Sequence, residues 1–213
     1  MRGTYASSLV SGSLLYELTQ AHGVPFAETP TGFKWIIRAG SDDAPLVFGY
    51  EEALGYSVTP TVARDKDGIS AALAVALLAA ELKAEGRTLT DRLDDLAREH
   101  GLFVTGQLSV RVEDLSLIGT AMERLRAEPP SRLLGRDVGY TDLLHETPSV
   151  DAVRLLGEGV RVIVRPSGTE PKLKAYLETV VPVHDDAGVL AARGRGADEL
   201  DQLRGEMAHA LGL

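Results

Sequence analysis

Residues 4–37 read TYASSLVSGSLLYELTQAHGVPFAETPTGFKWII, and their apolar pattern predicts alternating strands and helices. A strand is predicted over residues 4–10 and a helix over Ser13–His22. A second short strand follows at residues 24–26, and another apolar segment covers Phe33–Ile37. Strands that alternate with helices in this way are typical of an α/β layer, which is therefore the predicted fold class.

The rest of the chain also contains short motifs that predict where helices and strands begin and end. Asp65–Gly68 is predicted to cap a long buried helix, and Thr88 with Asp91 resembles a capping box before the next helix. Gly157-Glu158-Gly159 separates two apolar runs, as in a β-hairpin. The predicted strands are 46–50, 108–112, 153–156, 160–164 and 173–181, and the predicted helices are 69–84, 91–100, 115–127 and 197–211.

The length of 213 residues allows one domain of ordinary size or two small ones. Pro129-Pro130 is the clearest interruption in the chain, because proline ends a helix. A boundary is expected between about residues 105 and 130. We place it at about 110, which divides the chain into residues 1–110 and 111–213.

Composition excludes several classes of function. The formal net charge of −9 opposes a general nucleic-acid or anionic-membrane surface, since its field repels phosphate. The absence of cysteine excludes disulfides and thiolate chemistry and is consistent with a cytoplasmic protein. The longest apolar stretch, Ile69–Ala80, is too short to span a bilayer and is interpreted as a buried helix.

The strongest local signal is Arg165-Pro166-Ser167-Gly168-Thr169-Glu170-Pro171, between two predicted strands. A guanidinium, two hydroxyls and the backbone N–H groups around a glycine are what a phosphate dianion requires. Lys172 and Lys174 follow and give the segment a local positive charge in an acidic chain. From spacing alone, an ordinary polar hairpin loop explains the segment equally well.

Two carboxylates, Glu51 and Glu52, directly follow a predicted strand, where ligands of α/β proteins usually lie. Carboxylates there can accept hydrogen bonds from sugar hydroxyls, although two solvated acids in a turn are the simpler explanation. Lys34 could donate to a phosphate or sugar oxygen, with an exposed helical lysine as the alternative. Asp65 and Asp67 are better explained as helix caps than as metal ligands, so no metal site is predicted.

Together these segments resemble the carboxyl-terminal part of the α-D-phosphohexomutases, the phosphoglucomutase and phosphomannomutase superfamily. Four motifs in the family's order carry the resemblance, which extends over nearly the whole chain. They are ETPTGFKW at 28–35, FGYEEALGY at 48–56, DKDG at 65–68 and RPSGTEPKLK at 165–174. The resemblance implies an α/β domain three, which in the family begins with a further helix, and a smaller α+β domain four related to TATA-binding-protein folds.

The resemblance also implies the roles of single residues in binding a hexose phosphate. Sugar hydroxyls would be bound in the sugar-recognition loop, and phosphate in the loop of domain four, with a ligand-facing lysine in domain three. The residues concerned are Glu51 and Glu52 for the hydroxyls, and Arg165, Ser167, Gly168, Thr169 and Lys34 for the phosphate.

The family's phosphoserine motif, Thr/Ser-Ala-Ser-His-Asn-Pro, and its Mg²⁺ motif, Asp-Gly-Asp-x-Asp-Arg, do not occur in these 213 residues. We therefore expect no catalytic residue and no cofactor in this chain, and no mutase activity from the chain alone. The leading interpretation is the substrate-recognition part of a mutase that has Mg²⁺ elsewhere. The alternatives are a non-catalytic phosphosugar-binding module, a module that complements a separate amino-terminal half, and a truncated product without its own function.

Overall fold

The computed structural model describes residues 3–183 and 188–213. Its contacts divide the chain into two compact units, residues 1–100 and residues 101–213. The division falls about ten residues before the expected boundary at 110, because the strand that contains residues 108–111 begins at Leu102 and belongs entirely to the second unit.

The first unit contains a four-stranded sheet of order β2-β1-β3-β4. β1 is parallel to both β2 and β3, whereas β4 is antiparallel to β3. The carboxyl ends of the three parallel strands therefore meet at one edge, which is the usual position of a ligand site. The strands are β1 (Thr4–Ser8), β2 (Phe26–Thr29), β3 (Leu46–Glu51) and β4 (Gly55–Ser57), and the helices are α1 (Leu14–Ala21), α2 (Phe33–Ile36), α3 (Gly68–Ala84) and α4 (Leu89–His100).

The short helix α2 packs on one face of this sheet. Phe33 and Ile36 are buried there with Ala6 and Leu46. A methyl group on Gly49 would lie 2.4 Å from Cγ2 of Ile36, so only glycine lets β3 approach the helix this closely. This contact fixes α2 beside the strand that leads to the two carboxylates.

Helix α3 confirms the predicted helix and its cap, because the Asp67 carboxylate accepts a hydrogen bond of 3.0 Å from the Ile69 amide. The prediction that this helix is buried was wrong. Ile69 is 85% exposed, Leu73 60% and Leu77 57%, and of its residues only Leu82 is fully buried. The helix is apolar on all sides and so lacks the single apolar face that a surface helix normally turns to its core.

No helix among residues 3–183 and 188–213 is both long enough and apolar enough to cross a membrane.

The second unit is an antiparallel six-stranded sheet of order β5-β10-β9-β8-β7-β6 with two long helices packed on one face. The apolar core lies between this face and the helices, and fully buried members include Leu155, Val162 and Leu203. The strands are β5 (Leu102–Arg111), β6 (Arg132–Leu133), β7 (Arg136–Asp142), β8 (Val153–Gly157), β9 (Val160–Pro166) and β10 (Lys172–Val181), and the helices are α5 (Ser116–Ala127) and α6 (Gly188–Leu211), with a short 3₁₀ helix at Leu143–His145.

The predicted hairpin around Gly157-Glu158-Gly159 is confirmed, with Gly159 at a φ of 63°. The helix predicted from Ala197 begins instead at Gly188. Gly194 and Gly196 lie inside it, and a methyl group on Gly196 would lie 2.5 Å from Cγ2 of Val104. The glycine that weakens the local helical signal thus allows α6 to pack closely on β5.

Candidate functional site

The loop between β3 and β4 carries the two predicted carboxylates, which differ in solvent exposure and in their partners. The Glu51 side chain is only 14% exposed, and its Oε1 accepts a hydrogen bond of 3.2 Å from Nζ of Lys66. Glu52 is exposed. A methyl group on Gly55 would lie 2.8 Å from Cγ of Glu51, so the glycine makes room for the carboxylate. The structure therefore gives Glu51 a fixed position and leaves Glu52 open to solvent.

Lys66 is a member of this loop cluster that the sequence interpretation missed. Its ammonium group pairs with Glu51 and lies 5.9 Å from the centre of the Phe33 ring. Lys66 thereby links the carboxylate loop to α2. The segment around it was interpreted as a helix cap and as one of the four family motifs, but no local pattern pairs residue 66 with residue 51.

Lys34 is exposed at the same helix, and its ammonium group lies 5.3 Å from the centre of the Trp35 ring. Its neighbour Phe33 faces Lys66, whereas Lys34 makes no ion pair with a carboxylate of the described residues. Lys34 is thus near the carboxylate loop through α2 but is held by an aromatic ring.

The aromatic residues near the loop form a short ladder. Tyr50 stacks on Tyr56 with ring centres 6.4 Å apart and lies 6.3 Å from Phe48. The Tyr50 hydroxyl donates a hydrogen bond of 2.9 Å to the carbonyl of Gly12. Phe26 is not part of this ladder and packs on Tyr16. The ladder ties the carboxylate loop to the loop that follows β1.

The phosphate-type loop lies in the second unit, between β9 and β10. The Ser167 amide donates to the carbonyl of Lys172 at 2.8 Å, and the Lys172 amide donates to the carbonyl of Glu170 at 2.7 Å. These bonds close the loop and turn its tip outward. Within the described residues, the amides of Gly168 and Thr169 donate to no protein acceptor. Backbone donors of this kind are available to an anion.

The Arg165 guanidinium lies beside this tip. A methyl group on Gly168 would lie 4.0 Å from Nη2 of Arg165, so the guanidinium and the glycine backbone face each other. Nε of Arg165 is buried and has no hydrogen-bond partner in the described structure. A buried donor without a partner is costly, and an oxyanion at this position would satisfy it.

The positive charge near the loop is larger than the sequence motif at 165–174 alone indicated. Lys174 lies directly opposite Arg165 in the β9 and β10 pair, and Arg111 lies opposite Lys172 in the β10 and β5 pair. Glu170 accepts a hydrogen bond of 2.8 Å from Nζ of Lys172, which holds the pKa of this carboxyl below its usual value, with the charges of Lys172, Arg111 and Lys174 adding to the effect. Arg111 is a second residue that sequence reasoning missed.

The residues near the carboxylate loop do not fit a Mg²⁺ site. Oδ1 of Asp65 accepts a hydrogen bond of 2.7 Å from the Lys66 amide, and the Asp67 carboxylate caps α3. In the part of the chain that the structure describes, no three His, Asp or Glu side chains are grouped to hold a metal ion. We therefore assign no chemical step to a metal on this chain.

Comparison with known proteins gives two matches to models of one family. The model described as phosphoglucomutase/phosphomannomutase, alpha/beta/alpha domain III, matches residues 2–100, and the model of the C-terminal domain of the same family matches residues 108–191. The first match covers the first structural unit from residue 2, and the second match covers the second unit apart from residues 101–107 and 192–213.

Individual relatives agree with these matches. The chain is 42% identical over 207 residues to a probable phosphomannomutase of Haemophilus influenzae, an alignment covering 96% of this chain and 39% of that protein. It is 37% identical over 191 residues to a phosphoglucomutase of Staphylococcus epidermidis, covering 80% of this chain and 35% of that protein. The chain thus spans less than two fifths of the length of these relatives.

Among solved structures, the open form of parafusin, a phosphoglucomutase from Paramecium, matches with a TM-score of 0.67 and 20% identity. The match covers 99% of this chain and 38% of that one. The crystal structure of a protein from Thermus thermophilus that is described as a putative phosphomannomutase matches with a TM-score of 0.57 and 22% identity, covering 94% of this chain and 36% of that one. At these identities the structural matches show a shared fold.

Proposed function

Because this chain belongs to the phosphoglucomutase/phosphomannomutase family, we propose that it forms the substrate-recognition part of a hexose phosphate mutase. Such an enzyme interconverts hexose 1-phosphate and hexose 6-phosphate through a bisphosphorylated intermediate. The observation that carries the proposal is the tip of the loop, where the unused backbone amides of Gly168 and Thr169 lie beside the Arg165 guanidinium with its buried, unpartnered Nε.

In this proposal the phosphate that is not reacting binds at the tip of the loop. The Arg165 guanidinium is a charged donor that can make two parallel hydrogen bonds to the phosphate. Ser167 and Thr169 supply hydroxyls, and Gly168 lets the anion approach the backbone. Lys174 lies directly opposite Arg165 in the sheet, so its positive charge adds to that of the guanidinium. Together the two charges can neutralise a bound phosphate without a further cation.

The sugar hydroxyls bind at the carboxylate loop. Oε1 of Glu51 is used by Lys66, which leaves Oε2 to accept from a sugar hydroxyl. Glu52 is a second, solvent-facing acceptor, and Lys34 is a donor on the adjacent helix. A loop that recognises a phosphate group suits an intermediate with phosphate at both ends, since either phosphate can bind to the same loop.

Phosphoryl transfer needs a nucleophile that carries the phosphate and a cation that neutralises the developing charge. In this family those are a phosphoserine and Mg²⁺, and their motifs do not occur in these 213 residues. We therefore propose that this chain contributes recognition, with hexose phosphate and an amino-terminal mutase half as its partners in the cytoplasm.

Titration with glucose 1-phosphate tests the proposed function. We expect the amide resonances of Ser167, Gly168 and Thr169 to shift at millimolar ligand because their loop binds phosphate, and that of Glu51 to shift because its loop binds sugar hydroxyls. Free glucose should shift only the Glu51 region. A chain whose loop resonances do not respond to glucose 1-phosphate would contradict phosphate recognition by this polypeptide.

A second prediction concerns turnover by the purified 213-residue polypeptide. We expect no conversion of glucose 1-phosphate into glucose 6-phosphate in a coupled dehydrogenase assay, because the chain has neither phosphoserine nor Mg²⁺ motif. Conversion that survives further purification, and that Arg165→Ala abolishes, would overturn the assignment of recognition without catalysis. Absence of turnover together with ligand-induced shifts would support a recognition part.

A further inference from the structure

A pocket of about 510 Å³ lies in the first unit, away from the carboxylate loop. This volume is within the range of pockets that hold small molecules. It is formed by the end of α2, the loop that leads into β3 and the loop that follows β4. Its polar lining residues are Arg38, Gly40, Ser41, Asp42, Thr61 and Arg64.

Both walls of the pocket are held by their own hydrogen bonds. In the first wall, Ser41 and Ala44 exchange backbone hydrogen bonds of 3.0 and 3.2 Å, and Gly40 pairs with Pro45. In the second wall, the amides of Val62 and Ala63 both donate to the carbonyl of Thr59. Because hydrogen bonds within the chain order both walls, binding of a ligand would cost less entropy.

Gly40 shapes the first wall. Its φ is 98°, and a methyl group on it would lie 2.7 Å from the carbonyl oxygen of Ala44 and 2.8 Å from the amide nitrogen of Leu46. Only glycine fits this tight turn. The turn carries Ser41, whose Oγ accepts a hydrogen bond of 3.2 Å from the Ala44 amide, and a hydroxyl that accepts in this way still has a proton to donate to a ligand.

The arginines of the pocket differ from most others in the chain. Arg87, Arg126, Arg136 and Arg204 each pair with a carboxylate. In residues 3–183 and 188–213, the side chains of Arg38 and Arg64 have no hydrogen-bond or ion-pair partner, although Asp42 lines the same pocket. In a chain of net charge −9, these two guanidinium groups make a local positive site.

β3 separates this pocket from the carboxylate loop. Leu46, the first residue of β3, lines the pocket, and Glu51, its last residue, lies at the other end of the strand. At roughly 3.3 Å per residue, the two ends are about 17 Å apart. The pocket is thus at the opposite edge of the sheet from the proposed sugar site, and one ligand of hexose size does not fill both.

We propose that this pocket is a second anion site that binds a phosphate dianion, either as inorganic phosphate or as the phosphate group of a small monoester. Two guanidinium forks match the charge and the oxygen geometry of a phosphate, and the hydroxyls of Ser41 and Thr61 can donate to its remaining oxygens. Ile37 and Leu46 provide apolar surface for the body of an ester.

The experiment uses an Arg165→Ala background, so that phosphate binding at the loop of the second unit does not interfere. Inorganic phosphate is titrated while the amide resonances of Gly40, Ser41 and Thr61 are followed. We expect saturable shifts that Arg38→Ala and Arg64→Ala each weaken about tenfold, the usual effect of losing one charge-assisted contact. Arg92→Ala, an exposed arginine on α4 outside the pocket, is the matched control and should have no effect.

A second titration with glucose 6-phosphate distinguishes the two sources of phosphate. Tighter binding than inorganic phosphate would assign the pocket to a monoester, and equal binding would assign it to the phosphate group alone. No saturable shift at Gly40 and Ser41 with either ligand, or equal weakening by Arg92→Ala, would overturn the proposal. The proposed function is tested separately, by the Gly168 and Thr169 resonances of the chain that retains Arg165. Either result at the pocket therefore leaves that test unaffected.

Discussion

Replacing Arg165 with alanine is expected to weaken binding of glucose 1-phosphate by about 10- to 100-fold and to leave binding of free glucose unchanged. The expectation follows from the loss of a hydrogen bond between charged groups, which is worth roughly 1.5–3 kcal/mol. The guanidinium lies beside the Gly168 backbone and has a buried Nε without a partner, so the variant removes the charged donor beside the tip of the loop.

Isothermal titration calorimetry with both ligands measures this difference. Arg165→Lys is the matched variant, since it keeps the positive charge and loses the two-pronged donor, and it should fall between the wild-type chain and Arg165→Ala. Amide spectra of both variants should match the wild-type spectrum outside the loop. An equal loss of affinity for glucose 1-phosphate and free glucose would contradict the role of Arg165 in phosphate recognition.

Replacing Leu203 with alanine is expected to destabilise the second unit by about 2–5 kcal/mol, because the side chain is completely buried and its removal leaves a cavity. Leu203 lies on α6, in the core that also contains Leu155 and Val162. Leu190→Ala on the same helix is the matched control. That side chain is 77% exposed, so its loss should change the stability by less than about 0.5 kcal/mol.

Native-state hydrogen exchange of the β9 and β10 amides measures the effect within the second unit. This readout is preferable to tryptophan fluorescence, because Trp35, the single tryptophan of the chain, lies in the first unit. Similar losses of protection in Leu203→Ala and Leu190→Ala would contradict the packing of α6 on the sheet.

Helix caps and turns that depend only on neighbouring residues were predicted well from the sequence. The Asp67 cap, the reciprocal bonds between Thr88 and Asp91, and the hairpin at Gly157–Gly159 depend on residues at most three positions apart, and the structure confirms each. β7 was missed. Its sequence, RDVGYTD, has few apolar residues, and it becomes a strand because β8 supplies its hydrogen bonds.

The candidate site divides in the same way. The sequence alone determined which loops carry donors and acceptors, because Arg165, Ser167 and Thr169, and Glu51 with Glu52, are each contiguous along the chain and follow strands. It also determined the strand and helix alternation, since hydrophobic period and capping act within a few residues.

The fold decided which partners these loops acquire. Lys66 meets Glu51 because β4 returns antiparallel to β3, and Arg111 joins the phosphate-type loop because β5 pairs with β10. Arg38 and Arg64 line one pocket because α2 and the loop after β4 both lie at the same end of β3. Such contacts depend on strand order and register, which arise from pairing between segments that are distant in the sequence. The spacing of residues within one segment therefore does not predict them.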